Sequence, residues 1–594
     1  METAARLASA RASYVVALEN FRAAHRPADL PADSAGILAG DLPPPEPVLV
    51  SIVILTLNGG EMLRALFSSL AACNTWPDIE IIVVDHGSDD ATAEVLRDTS
   101  AHFHIRHLKP DRNFSFAFSC NRGAQIARGE IVLFLNNDIE FTEDVIPRIV
   151  AGVQATGGLV GIKLLHGQAG GQTTPRPQIG VRFRWSPGQD WTAPYDASPG
   201  PRDALRAAQP CRMPVVTGAV LACNRAEFLK MGGFCEDYLY AYEDVDLGLK
   251  AAARFGLPSV SLNDVSALHL MGATRTKRSS FRRRRLWHRH SLGVLRARYG
   301  YRSRRLAWLG LFGAAKGFDW GRRPAVAFLA DSGDEAAGGA AKALQAEFAE
   351  FAVLKTSGFR QYDLFGYDLV VSRLPSFSMA LARNLGPMAL KIGWIRAGDG
   401  DWRANAAAYD ILMTDGRERA SSLTESLGQP VIAIGDRGIA EALRHAVTDF
   451  LQNRFRIAVL AASDKCADAA RLSAVLRAAG HAVRTGAPRS VSMRDEVAIW
   501  LSPPGISKFP VDTIHVAAFA PVPDGRFSYD IRLESLGGDM RAWFDRLMPE
   551  IADCHEKRMA GPIDLPLDDL RHADDGAAVW RGRHDPTAHL IGVS

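Results

Sequence analysis

What this chain of 594 residues lacks narrows it first. Its seven cysteines are scattered, with no Cys-x-x-Cys among them. That excludes a disulfide framework or a zinc ribbon and suits a reducing compartment. No apolar run reaches the length of a bilayer crossing: "LAWLGLFGAA" at 306–315 is about half of the ~20 residues required. The first 25 residues have neither a sustained apolar core nor a cleavage site, so no signal peptide is expected. Charge of one sign is missing too: 69 Lys+Arg stand against 66 Asp+Glu, which gives no global argument for a nucleic-acid partner. Glycine-rich phosphate loops are absent, with no G-x-G-x-x-G after the first strand and no G-x-x-x-x-G-K-[ST] anywhere. Hydride-transfer and P-loop chemistry thereby lose their main support. A cytoplasmic protein, soluble or peripheral on the inner face of the membrane, is expected.

What is present reads as alternation. Residues 1–47 predict an amphipathic helix over 2–25 and a Pro-rich linker ending "GDLPPPEPVLV", where proline density forbids helix and ladder alike. From 48 onward apolar strands alternate with amphipathic helices: "VSIVILTLN", "GEMLRALFSSLAAC", "IEIIVVDHGSDD", "DATAEVLRDT", "NRGAQIARGE", "IVLFLNND". This pattern predicts an α/β fold with a mostly parallel sheet, and such sheets bind ligands beyond the carboxyl ends of their strands. The polar tips at 56–58, 85–90 and 136–138 all lie at carboxyl ends and should share one cleft. Residues 157–212, richer in Gly, Pro and Trp, read as an irregular, acceptor-facing insertion. An internal repeat follows. "AVAFLADSGDEAAGGAAKAL" (325–344) parallels "RIAVLAASDKCADAARLSAVL" (456–476), "YDLVVSRLP" (367–375) parallels "DEVAIWLSP" (495–503), and "AAYDILMTD" (407–415) parallels "FSYDIRLES" (527–535). Two small Rossmann-like α/β units are expected, over 321–450 and 451–555, with an irregular tail at 556–594.

Two clusters carry chemistry. Asp85 and Ser88 could hold a base and ribose by hydrogen bonds, and Asp138 could bind a divalent cation shared with substrate phosphates. The plain alternative is that these are turn and cap residues, since "DHGSDDAT" is also a good helix N-cap. In "GGFCEDYLYAYEDVDLGLK", Glu243, Asp244 and Asp246 fall at the start of a helix, where the dipole alone favours acids. Three carboxylates within four residues exceed what capping requires. A carboxylate crowded by like charge in an apolar rim has raised proton affinity and makes a usable general base.

Taken in order, "VSIVILTLNG", "IIVVDHGSDDAT", "FSFAFSCNRGAQIARGEIVLFLNNDIEF", "VTGAVLACNRAEFLKMGGFCEDYLYAYEDVDLGLKAAARFG" and "ALHLMGATR" resemble the family-2 inverting glycosyltransferases of GT-A fold, in the rhamnosyltransferase and O-antigen branch. The resemblance covers about 48–275. It implies a nucleotide-sugar donor (UDP-, dTDP- or GDP-linked), a glycan or lipid-linked glycan acceptor, and Mg²⁺ or Mn²⁺ as cofactor. It also implies that Thr56, Asn58, Asp85, Ser88, Asn136, Asn137 and Gly218 hold the donor. Asp138 becomes the metal ligand, with His269 completing that site, and Asp244 the catalytic base with Glu243 beside it. His86 departs from the pattern, standing where an Asn usually follows the strand-end aspartate, and "TTPRPQIGVRFRW" lacks the His-Ala-Gly that often precedes this segment.

The segment 276–320 is a basic amphipathic connector. Its plain reading is a solvated helix face; its functional reading is a peripheral contact with anionic lipid through 275–312. Nucleic-acid binding is not expected, whereas a homo-oligomer is compatible with the pattern. The C-terminal repeats weakly resemble GT-B-type halves, as a second transferase or as a module for acceptor binding or dimerisation. The competing reading of the whole is a non-catalytic nucleotide-sugar or glycan-binding scaffold.

Overall fold

The computed structural model describes residues 38, 41–88, 91–110, 113–166, 176–185, 192–198, 208–270, 285–299, 324–347 except 332, 351–355, 364, 367–375, 385, 389–491, 495–506, 513–519, 529–533, 539–560 and 590–593. The helix expected over 2–25 and most of the connector lie outside these residues.

The first sheet begins with β1 (Val50–Thr56), α1 (Gly60–Cys73), β2 (Ile79–Asp85), α2 (Thr92–Thr99), β3 (His104–Pro110), α3 (Phe116–Ile126) and β4 (Ile131–Asn136). β1 pairs in parallel with β2 on one side and β4 on the other, and β2 pairs in parallel with β3. Because both faces of these strands are covered, their apolar runs are continuous rather than alternating. Ile52, Ile54 and Leu133 enter one core while Val53, Ile82 and Phe134 enter the other. After β3 the chain crosses to the opposite side of β1, so the winding reverses between β1 and β4. That reversal opens the crevice in which doubly wound sheets bind ligands.

The remaining strands extend the sheet past β4. β5 (Ile139–Phe141), α4 (Ile146–Thr156), β6 (Leu159–His166) and β7 (Arg176–Gln178) are followed by the hairpin of β8 (Val181–Trp185) and β9 (Thr192–Asp196). Then come β10 (Cys211–Met213), β11 (Val220–Asn224), α5 (Arg225–Lys230), α6 (Glu243–Lys250) and β12 (Ser259–His269). β11 runs antiparallel to β4, and the order is β10-β12-β6-β11-β4-β1-β2-β3. The region expected to be irregular, 157–212, thus holds β6 to β9 and the start of β10. A helix over 285–299, α7, packs Val294, Leu295 and Tyr299 against Val245 and Leu249 of α6.

Two further parallel sheets follow. The first contains β13 (Ala325–Leu329), α8 (Glu335–Glu347), β14 (Phe351–Lys355), β15 (Leu369–Ser372), β16 (Leu390–Ile395), β17 (Ile411–Thr414), α9 (Arg417–Leu427), β18 (Val431–Ala433) and α10 (Gly438–Asn453). The second contains β19 (Arg456–Leu460), α11 (Cys466–Ala478), β20 (Ala482–Gly486), β21 (Val497–Trp500), β22 (Ile514–Ala517), β23 (Ile531–Arg532) and α12 (Met540–Ala560). Their strand orders, β14-β13-β15-β16-β17-β18 and β20-β19-β21-β22-β23, follow one winding. The three repeated sequence segments occupy the first, third and fifth strands of each. The same staples recur: Asp368 accepts from the Ala325 N–H and Glu496 from the Arg456 N–H, both at 2.8 Å. Likewise Asp410 accepts from the Lys391 N–H at 2.8 Å and Asp530 from the His515 N–H at 2.7 Å. β24 (Leu590–Val593) pairs antiparallel with β3.

Candidate active site

The β1 and β4 tips meet at the reversal of winding. The Asn137 side-chain amide donates to Thr56 Oγ1 at 3.2 Å. Gly59 is required beneath them, since a Cβ there would lie 2.5 Å from Asn137 Nδ2 and 2.6 Å from Thr56 Oγ1. Asn58 adopts a left-handed φ of 52°, a conformation Asn tolerates better than most residues. Its N–H donates to Ser88 Oγ at 2.8 Å.

Asp85, expected to contact the nucleoside, sits at the carboxyl end of β2. It is 3% exposed. One carboxylate oxygen accepts from the Ser88 N–H and Oγ–H at 2.9 and 2.6 Å, and the other faces His107 Nε2 at 3.2 Å. Burial by itself would raise its pKa, but the hydrogen bonds from His107 and Ser88 outweigh it and hold the carboxyl at about 2. Asp85 therefore shapes the loop, and the neighbouring His86 faces the cleft. His86 Nε2 lies 2.7 Å from Ser119 Oγ. Burial pushes its pKa down to about 4 despite the nearby Asp85 charge, so the ring is neutral.

β5 pairs with the end of β12, setting His269 opposite Ile139. That register brings His269 Nε2 within 3.2 Å of Asp138 Oδ1. Among the described residues no three His, Cys, Asp or Glu side chains converge as a complete cation site. One carboxylate oxygen and one imidazole nitrogen suit a cation such as Mn²⁺, which would take its remaining ligands from substrate oxygens and water. The residues fit a substrate-bridged cation rather than a closed structural one.

Across the cleft stands α6. Asp244 Oδ2 accepts from the Gly218 N–H and Oδ1 from the Val245 N–H, both at 2.8 Å. Burial raises the proton affinity of both Glu243 and Asp244; the Asp244 charge raises Glu243 further, and the Asp196 charge raises Asp244. Two backbone donors favour the ionised form of Asp244, so the pair's negative charge resides there and Glu243 carries the proton. The turn leading in is strained: Ala241 and Tyr242 have φ of 64° and 73°, positions where non-glycine residues are costly. The Tyr242 hydroxyl, 2.9 Å from His288 Nε2, ties that turn to α7.

Beneath α6 a buried ion pair joins the same two helices, with Arg298 Nε 2.6 Å from Asp246 Oδ2 and side chains 3% and 0% exposed. Tyr238 donates to the same carboxylate at 3.1 Å, and the Tyr299 hydroxyl to the Asp246 carbonyl at 3.2 Å.

One cavity of about 1040 Å³ joins Thr56, Asn58, Asn136, Asn137, Gly218, Glu243, Asp244 and His269. Asp138, at 13% side-chain exposure, lies just behind that wall with His269. The sequence reading missed several residues that also line the cavity: Tyr195 and Asp196 on β9, Tyr240 and Tyr242 before α6, and Trp287 and His288 on α7. Tyr240 and Tyr242 lie in the block that carries Glu243 and Asp244, a signal that could have found them, whereas the other four belong to no motif. The departure at His86 was visible in the sequence.

The model of the family described as "Glycosyl transferase family 2" matches residues 51–218. The chain is 28% identical over 233 residues to the O-antigen biosynthesis protein RfbC of Myxococcus xanthus, covering 38% of this chain and 18% of that relative. It is 25% identical over 232 residues to the validoxylamine A glucosyltransferase of Streptomyces hygroscopicus subsp. limoneus, covering 35% of this chain and 49% of the relative. A solved mannosyltransferase of Pyrobaculum calidifontis, in complex with GDP-Man and Mn²⁺, aligns with a TM-score of 0.30 and 19% identity. That alignment covers 41% of this chain and 63% of the other. The chain thus spans less than half the length of the two curated relatives. The parallel strands β1 to β4, from Ser51 on, and the β1–β4 crevice fall within the segment, 51–218, that matches the glycosyl transferase family 2 model.

Proposed function

We propose that the chain moves a sugar from a nucleotide-sugar donor to a hydroxyl of a growing cell-surface polysaccharide or lipid-linked glycan, inverting the anomeric centre in one displacement. The observation that carries this is the single cavity in which the β1 and β4 tips face an anchored, proton-avid carboxylate pair. Thr56, Asn58, Asn136 and Asn137 line the donor side. Asp138 and His269 would hold a divalent cation, which supplies Lewis-acid stabilisation of a departing diphosphate. Gly218 aims the Asp244 carboxylate through its N–H, and Asp244 accepts the acceptor hydroxyl's proton as that oxygen attacks. Glu243, already protonated, leaves Asp244 as the ionised partner. The turn at 241–242 and α7 hold this base against the wall of the cleft.

Purified protein would be incubated with Mn²⁺ or Mg²⁺ and a panel of UDP-, dTDP- and GDP-sugars, following nucleoside diphosphate release with lipid-linked acceptor extracts. Release from one donor class, lost in Asp244→Asn, is the expected result. Binding without turnover by every donor would instead favour a scaffold, and full transfer by Asp244→Asn would remove the base assignment.

A further inference from the structure

Resting on that transferase reading, we infer that the acceptor enters this cleft as a neutral saccharide ring held by Asp196, and not as a lipid phosphate. The charge inventory of the cavity is the first argument. Among its described lining residues there is no lysine or arginine. Burial drives the pKa of His86 down to about 4 and that of His288 below its ordinary value, so neither ring supplies a positive charge at neutral pH. The acceptor side instead presents three carboxyl groups: Glu243, Asp244 and Asp196. A phosphate nucleophile brought beside them would meet like charge with no lysine or arginine among the described lining residues to offset it, since the candidate cation seat at Asp138 and His269 serves the donor's diphosphate. A sugar hydroxyl is uncharged until the base takes its proton.

The second argument is how Asp196 is held. It is exposed to the cavity at the end of β9, and Gln178 Nε2 donates to its Oδ1 at 2.8 Å. Gln178 is 4% exposed, and its own Oε1 lies 2.8 Å from His166 Nε2. A buried amide oriented by a half-buried histidine therefore fixes an exposed carboxylate, which is more than a solvated surface acid needs. Carboxylates are acceptor-only and match the hydroxyls of a sugar ring. Tyr195, Tyr240, Tyr242 and Trp287 line the same cavity, giving flat amphipathic faces for the ring's C–H surfaces.

The test uses the full chain with Mn²⁺ and UDP or GDP. Saturation-transfer NMR reads binding of p-nitrophenyl glucosides, galactosides, mannosides and rhamnosides, with undecaprenyl phosphate in detergent micelles as competitor. At least one glycoside should bind, and undecaprenyl phosphate should not displace it. Asp196→Ala should weaken that glycoside by on the order of tenfold or more, as expected for a hydrogen bond to a charged group. Asp196→Asn, which keeps the shape and the Gln178 contact, should fall between. Displacement by undecaprenyl phosphate, absence of any glycoside binding, or unchanged affinity in Asp196→Ala overturns the inference. Nucleotide binding is followed in the same samples by phosphorus NMR. Its loss would count against the donor reading alone, because glycoside binding is read independently.

Discussion

Replacing Arg298 by Met tests whether α7 is part of the transferase machinery or an accessory to it. The substitution keeps most of the side-chain volume but removes the guanidinium that lies 2.6 Å from Asp246 Oδ2, with both side chains essentially sealed from water. Asp246 is two residues from the proposed base on the same helix. Left behind, its carboxylate would keep only the Tyr238 hydroxyl as a side-chain donor at 3.1 Å. Removing one member of a buried pair typically costs about 3–5 kcal/mol, because the other is stranded as an uncompensated charge. In a unit of this size each kcal/mol moves the midpoint by about 2–4 °C, so the first melting transition should fall by roughly 6–20 °C. Differential scanning calorimetry reads it directly. Arg298→Met combined with Asp246→Asn should recover much of the loss, since neither member of the pair is left as a stranded charge. A midpoint for Arg298→Met within about 2 °C of the parent would refute the reasoning. So would a double variant as damaged as the sum of the singles. Hydrogen exchange should show the increase at α6 and at the 241–242 turn first, with the β1 and β4 tips protected as before.

Three other outcomes follow from the site. Glu243→Gln replaces an already neutral group beside Asp244, so the acid limb of the pH–rate profile, set by Asp244, should stay where it is. Because the folded-state pKa of Glu243 is raised, the parent loses stability as pH climbs from the ordinary carboxylate range toward that raised value. The Gln variant should therefore melt higher than the parent at neutral and alkaline pH and about equal to it below pH 4. Gly59→Ala drives a methyl group into Asn137 and Thr56. Overpacking of this kind costs about 1–3 kcal/mol, and nucleotide affinity, measured by calorimetric titration, should drop with it. Asp85→Asn removes a carboxylate whose folded pKa, about 2, is below its unfolded value. The stability it confers is present above the unfolded pKa and disappears as pH falls through about 2. The variant should thus lose about 2 kcal/mol at pH 7 and have a shallower acid-unfolding curve.

The parallel sheet around β1 was legible because strands buried on both faces have to be apolar throughout, and their polar tips stand out by contrast. Register then brought Thr56, Asn137 and Asp138 together without further assumption. The acceptor wall was not legible, for different physical reasons. β8 and β9 are short strands in a Gly- and Pro-rich stretch, so no period reports that Tyr195 and Asp196 point into the cleft. α7 reads as a solvated basic run, yet Arg298 is 4% exposed; only a partner 52 residues away in sequence explains a buried arginine. Asp85 illustrates the opposite limit. Its position at a strand tip was legible, but a sequence does not say which neighbours, here Ser88 and His107, hold its carboxylate.

The four carboxylate staples of the C-terminal sheets all bind the amino ends of their strands. Their recurrence in the same strands, with Glu496 in the role of Asp368, fastens both sheets at one end only. The carboxyl ends, where parallel sheets of this kind bind ligands, are free of that duty and differ in chemistry. The first sheet has Arg373, Arg396 and Asp415 there, while the second has Ser502 after β21 and Ala518 after β22. Two sheets built this way share a chassis and present different groups at their open ends, so a ligand found for one is no guide to a ligand for the other.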